Sequence, residues 1–182
     1  MAAIYKGSKD GTHQVLEKVL LYNSLTLEIG DLVETATYGY GNVSAAGAIA
    51  LGFIVGFCDK NGQPLETGRT TAGTAKSPSV TTVTTAATNT TTQTYWAWVD
   101  TSKSSKYSIS VSGTLGTTNA SNLRGCRIDI NSAGAEYGQV LETTATRTAA
   151  TDANLYSYGL DPEDSTRLIV SIALSETDPS SP

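Results

Sequence analysis

One histidine and two cysteines are the only soft metal ligands in these 182 residues. A closed tetrahedral zinc shell needs ligands at spacings such as C-x-x-C or H-x-x-x-H, and His13, Cys58 and Cys126 stand too far apart to supply one. Positive charge is also scarce: 12 Lys and Arg face 17 Asp and Glu, and no basic run occurs. Clustered cations are needed to displace the counterions of a polyphosphate, so nucleic acid is not an expected partner. Long apolar runs are missing too. Ala45–Phe57 is too short and too Gly-rich to cross a bilayer, and no membrane is expected. The opening MAAIYKGSKDGTH has no apolar h-region and does not read as a secretory signal. Cys58 and Cys126 are therefore expected as free thiols of a reducing compartment, packed as small apolar residues. Asn42, Asn89 and Asn119 begin N-x-S/T matches that mean nothing without a secretory route.

What the chain has instead is Thr, Ser, Gly and Ala, with nine Tyr against two Phe and two Trp. β-Branched side chains keep more rotamer freedom in extended chain, so this composition favours strands. Short alternating segments separated by turn residues predict a mostly β fold, an antiparallel sandwich or small barrel. A parallel sheet would need amphipathic helices between its strands, and none is visible after Asn23. Residues 1–23 read as an N-terminal arm, extended or a short helix, whose first dozen residues are a flexible or clasping terminus. Residues 24–176 read as one β domain and 177–182 as a disordered polar tail.

Within the domain, strands are expected at 24–29, 32–37 and 48–57, followed by a hairpin turn at Asn61-Gly62. The Thr-rich stretch 67–94 is expected to hold at least one strand, an edge strand at 80–85. Tyr95–Val99 and Tyr107–Val111 read as two strands joined by a short polar turn. Cys126–Asn131 and 139–148 are extended, ATDANLYSYGLDPEDS is a polar loop, and Arg167–Ser175 closes the domain. In the last strand Leu168, Val170, Ile172 and Leu174 should face the core.

Little of this carries chemistry. His13 lies in the N-terminal segment, whereas a catalytic base needs a rigid support and an orienting partner. Asp59-x-Asn61-Gly62 echoes a calcium loop but lacks the third ligand and the Glu at loop position twelve, so a plain turn is expected. Asp161, Glu163 and Asp164 read as a solvated acidic turn. A glycosidase would need carboxylates such as Glu142, Asp161 and Glu163 to converge in a cleft. Gly39-Tyr40-Gly41 has Ser44 where a third glycine of a dinucleotide loop belongs, and no Walker lysine exists. No enzyme, cofactor or metal is expected.

The aromatic stretch stands out. In Tyr95–Val99 one face carries Trp96 and Trp98 and the other Tyr95, Ala97 and Val99. A strand apolar on both faces needs cover on both. The candidate interface is therefore Ile4, Tyr5, Tyr95, Trp96, Trp98 and Val99. Buried Trp faces would mark core and subunit contact, and an open flat face a sugar platform.

Taken in order, LEIGDLV, the buried run AGAIALGFIVGF, YWAWVD, a serine-alternating strand and RLIVSIALSE follow a polar N-terminal arm. This order resembles the capsid decoration (cement or head-stabilising) proteins of tailed bacteriophages over most of residues 24–176. The resemblance implies a non-enzymatic virion protein, made in the host cytoplasm. It would dock, often as a homotrimer, on the major capsid protein lattice at the capsid exterior. The other reading is a receptor- or glycan-binding β-module of a tail fibre or spike.

Overall fold

A computed structural model of the chain describes residues 3–11, 13–22, 24–35, 41–44, 49–65, 82–85, 95–111, 124–125, 127–128, 140–141 and 155–173. These residues form strands β1 (Ile4–Ser8), β2 (Leu16–Leu20), β3 (Thr26–Glu28), β4 (Leu32–Thr35), β5 (Gly41–Val43), β6 (Ala50–Cys58) and β7 (Thr82–Thr84). The chain continues through β8 (Trp96–Asp100), β9 (Ser105–Val111), β10 (Arg127–Ile128), β11 (Val140–Leu141), β12 (Leu155–Asp161) and β13 (Asp164–Ile172). The fold is all-β, with no helix among the described residues, and it is built as a sandwich of antiparallel sheets. Cys126, Glu142, Leu174 and the tail 177–182 lie outside the described residues.

One sheet runs β1-β9-β13-β12-β10, with β11 joined parallel to the far end of β9. The other runs β2-β8-β6-β4-β5. Its two ends meet: Leu21 bridges Gly41, and the Tyr22 N–H donates to the Gly41 carbonyl at 2.8 Å. The five strands thus curl toward a small barrel, filled by Val19, Leu21, Val33, Ile54, Phe57, Ala97 and Val99. The β3–β7 ribbon supplies Leu27 and Val83 to the same interior. A second core lies between the sheets, where Leu32 and Phe53 meet Tyr107, Ile109, Leu155, Leu168 and Val170. Phe53 stacks on Tyr107 with ring centroids 4.1 Å apart.

The apolar run of β6 serves both cores because of a bulge. Register slips between Ile54 and Gly56, so Phe53 faces the opposite sheet while Ile54 and Phe57 both face the barrel interior. Gly52 is required here: a Cβ would sit 2.2 Å from the Asp100 carbonyl oxygen.

Two expectations change. First, the strands on either side of the polar turn do not pair: β8 belongs to the curled sheet and β9 to the other. Residues 101–104 form a corner instead. The Asp100 carboxylate builds it, accepting the N–H groups of Ser102 and Val15 on Oδ1 and the Tyr107 hydroxyl on Oδ2 at 2.7 Å. Second, the expected polar loop before Arg167 contains β12, which forms a hairpin with β13 through Pro162-Glu163. Its alternation is inverted: Leu155, Ser157 and Gly159 are buried, whereas Tyr156 and Leu160 are exposed. The expected hairpin turn at Asn61-Gly62 forms: Asp59 Oδ1 accepts the N–H groups of Asn61 and Gln63, and the antiparallel Cys58–Pro64 bridge is flanked by the Leu65 N–H donating to the Phe57 carbonyl at 2.9 Å.

Of the two conformations open to residues 1–23, the described residues take the extended one, and they lie within the sheets. β1 hydrogen-bonds along β9, and β2 along β8.

Candidate functional site

The candidate interface residues separate into two regions. Val99 is fully buried in the barrel interior, and Tyr95 packs against the same cluster half-buried. Val99 has no exposed surface to offer a partner and drops out as an interface residue, whereas Tyr95 keeps part of its surface exposed. Val99 shares one buried cluster with Leu27 and Val83 of the β3–β7 ribbon.

Trp96 and Trp98 point to the outside of the curled sheet, beside Leu20 and Lys18 of β2. Both are only partly buried. The chain supplies a good part of their cover. Gly62 of the tight turn lies over Trp98, where a Cβ would come within 3.2 Å of Cζ2. Lys18 places its ammonium 4.8 Å from the Trp96 ring centroid and donates to the Lys60 carbonyl at 2.7 Å, tying the turn down. The Trp96 indole N–H is buried with no acceptor among the described residues. Cys58, the Cα partner of Trp96, is a buried free thiol whose pKa is raised by burial. The Trp face is thus a strapped surface, not an open flat one.

The N-terminal strands differ. Ile4 and Tyr5 are 52% and 40% exposed, and Val15 and Leu16 are 53% and 47% exposed. These are four of the seven large apolar side chains exposed among the described residues. Tyr5 touches the Tyr107 ring edge-on, with centroids 5.5 Å apart. The Gln14 amide donates to the Tyr107 hydroxyl at 3.0 Å. That hydroxyl is buried beside the Asp100 carboxylate, and both effects hold its pKa well above the usual tyrosine range. β1 ends its sheet, leaving one backbone edge unpaired by any described strand. A bulge between Tyr5 and Gly7 interrupts that edge.

Lys6, on the bulge, ties β1 to the β12–β13 turn through Asp161 at 3.2 Å and through Glu163. The hydrogen bond to Glu163 raises its pKa most. Burial pushes Asp161 up, but hydrogen bonds from Ser108, the Glu163 N–H and Lys6 outweigh it and leave its pKa lowered. Asp164 accepts the N–H and hydroxyl of Thr166. Behind this turn Arg167 lies flat and buried on β9, donating to the hydroxyls of Ser108 and Ser110 and to the Ser108 carbonyl. The acidic cluster is therefore a fastened structural turn. His13 is exposed, and no group of three metal-ligating side chains forms among the described residues.

Sequence reasoning missed the outer face of the first sheet. Tyr156, 38% exposed, meets Tyr158 edge-on at 5.1 Å, and Lys106 stands 4.7 Å over the Tyr158 ring. The signal was present as Tyr-x-Tyr, but the small residues Ser157 and Gly159 at its buried positions hid the strand.

The fold and these surfaces define an all-β module with apolar edge strands. No protein-family model matches the chain, and no curated protein or solved structure matches it either.

Proposed function

We propose that the protein is a non-enzymatic virion structural protein that docks on the outside of a phage capsid and stabilises it. The observation that carries this reading is the concentration of exposed apolar side chains on the N-terminal strands. Ile4, Tyr5 and Leu16 sit on edge strands and Val15 directly precedes one, all exposed to a neighbour that would cover them. An open edge such as that of β1 can also add backbone hydrogen bonds to a partner strand. Many such weak contacts repeated on a lattice bind tightly together through effective concentration. The partners are then the major capsid protein lattice and further copies of this chain, with a homotrimer the favoured assembly. Light scattering of the purified protein, followed by co-sedimentation with expanded capsids lacking it, tests the reading. A monomer that stays in the supernatant overturns it.

A glycan-binding module of a tail fibre or spike is the second reading, and one observation favours it. Tyr156 offers an exposed ring on the outer sheet face, flanked by Tyr158 and Lys106. Saccharide binding that is abolished by Tyr156→Ala would move the assignment there.

A further inference from the structure

Asp31 is the buried ionisable group that no part of the docking surface uses. It is 2% exposed, at the turn where the chain passes from the β3–β7 ribbon into β4. One carboxylate oxygen accepts the Glu28 N–H at 2.7 Å, and the other is buried with no donor among the described residues. A buried carboxylate with a single neutral donor is poorly compensated when charged, but protonation removes that charge.

The position of this turn gives it leverage. The Asp31 N–H donates to the Glu28 carbonyl, and the Asp31 carbonyl accepts the Ile54 N–H at 2.9 Å. The preceding Gly30 donates to the Ile54 carbonyl at 2.7 Å and accepts the Ala3 N–H at 3.3 Å. The next residues, Leu32 and Val33, enter the two different cores. One turn thus holds the start of the N-terminal segment, β6 and both cores together.

We propose that Asp31 is a proton-controlled pin: protonated, it locks the Glu28–Asp31 turn and the Ala3 contact, and ionised, it loosens them. Burial raises its pKa from 3.8 to about 6, partly offset by the Glu28 N–H bond. Among the described residues the Glu28 carboxylate on β3 further disfavours ionisation. β6 meets this turn through the Ile54 backbone and carries no Asp, Glu, His, Lys or Arg. A carboxyl whose folded pKa lies above its unfolded value holds its proton more tightly when folded. Its stabilisation is complete below pH 3.8 and is lost as pH rises through about 6. The lock weakens roughly a hundredfold across that window. The device goes beyond the docking role and does not depend on it.

The test uses the full chain alone. Carbon-13 titration of the Asp31 carboxyl should give a midpoint near 6. Hydrogen-exchange protection factors, corrected for intrinsic exchange, should fall at the Ala3 and Ile54 amides over the same pH range. In Asp31→Asn, which keeps an acceptor for the Glu28 N–H, that fall should vanish. A carboxyl midpoint near the ordinary value, or a protection profile unchanged by Asp31→Asn, overturns the pin. If Asp31→Asn does not fold, the wild-type titration decides alone. No capsid enters the experiment, so its failure is separate from failure of the docking role.

Discussion

Two regions of this chain carry the candidate interface residues and end differently. Tyr95–Val99 is apolar on both faces, yet its own chain buries Val99 completely and straps Trp96 and Trp98 with Lys18 and the Gly62 turn. The N-terminal strands carry fewer apolar side chains, yet Ile4, Tyr5, Val15 and Leu16 remain exposed. The density of apolar residues therefore marks where the chain covers itself. Isolated apolar residues on edge strands mark where a partner has room to bind.

The largest expected effect tests the closed region from inside. Gly52→Ala drives a methyl into the Asp100 carbonyl at 2.2 Å and into Val99 at 2.7 Å, and backbone cannot swing aside. The loss should reach about 3 kcal/mol or more, seen as a collapsed denaturant midpoint or insoluble protein. Gly56, in the same strand, has nothing within 4 Å of its virtual Cβ. Gly56→Ala should stay within about 1 kcal/mol of wild type. Equal effects at both positions would refute the packing of β6 against β8.

Val99→Ala and Trp98→Ala come next, each expected to cost about 2 kcal/mol in denaturant unfolding. Neither should alter assembly under conditions where the variant is folded. A Trp98→Ala protein of normal stability that fails to assemble would return the Trp face to the interface. Cys58 offers a smaller check on the same closure. Its thiol is buried and its pKa raised, so alkylation in the native state should be slow and should accelerate on unfolding.

How much of this was legible in the sequence varied with the physics. Period-2 alternation placed Tyr107, Ile109 and Val111, and Leu168, Val170 and Ile172, in the core, where they lie. Local pattern does not report pairing partners, however. The corner at 101–104 depends on Asp100 reaching both Val15 and Tyr107, contacts far apart in sequence or between different sheets. β12 was invisible because its buried positions include Ser157 and Gly159, while its tyrosines face out. Ile4 and Tyr5 stand out in sequence as the only sizeable apolar side chains of residues 2–13. That β1 is sewn to β9 and pinned by Lys6 could not be read from composition. Removing residues 2–13 should consequently lower the melting temperature of the domain, because it strips an edge strand and the Tyr5 contact with Tyr107.

Point substitutions separate docking from stability more cleanly than that deletion. Ile4→Ser and Leu16→Ser change exposed side chains and should each cost less than about 1 kcal/mol of stability. The decisive measurement is co-sedimentation of the double variant with expanded phage capsids, beside wild type and Trp98→Ala. The docking account predicts that the double variant loses at least about tenfold in affinity while still folded, and that folded Trp98→Ala binds like wild type. Wild-type affinity in the double variant, or loss of binding in Trp98→Ala alone, would contradict it.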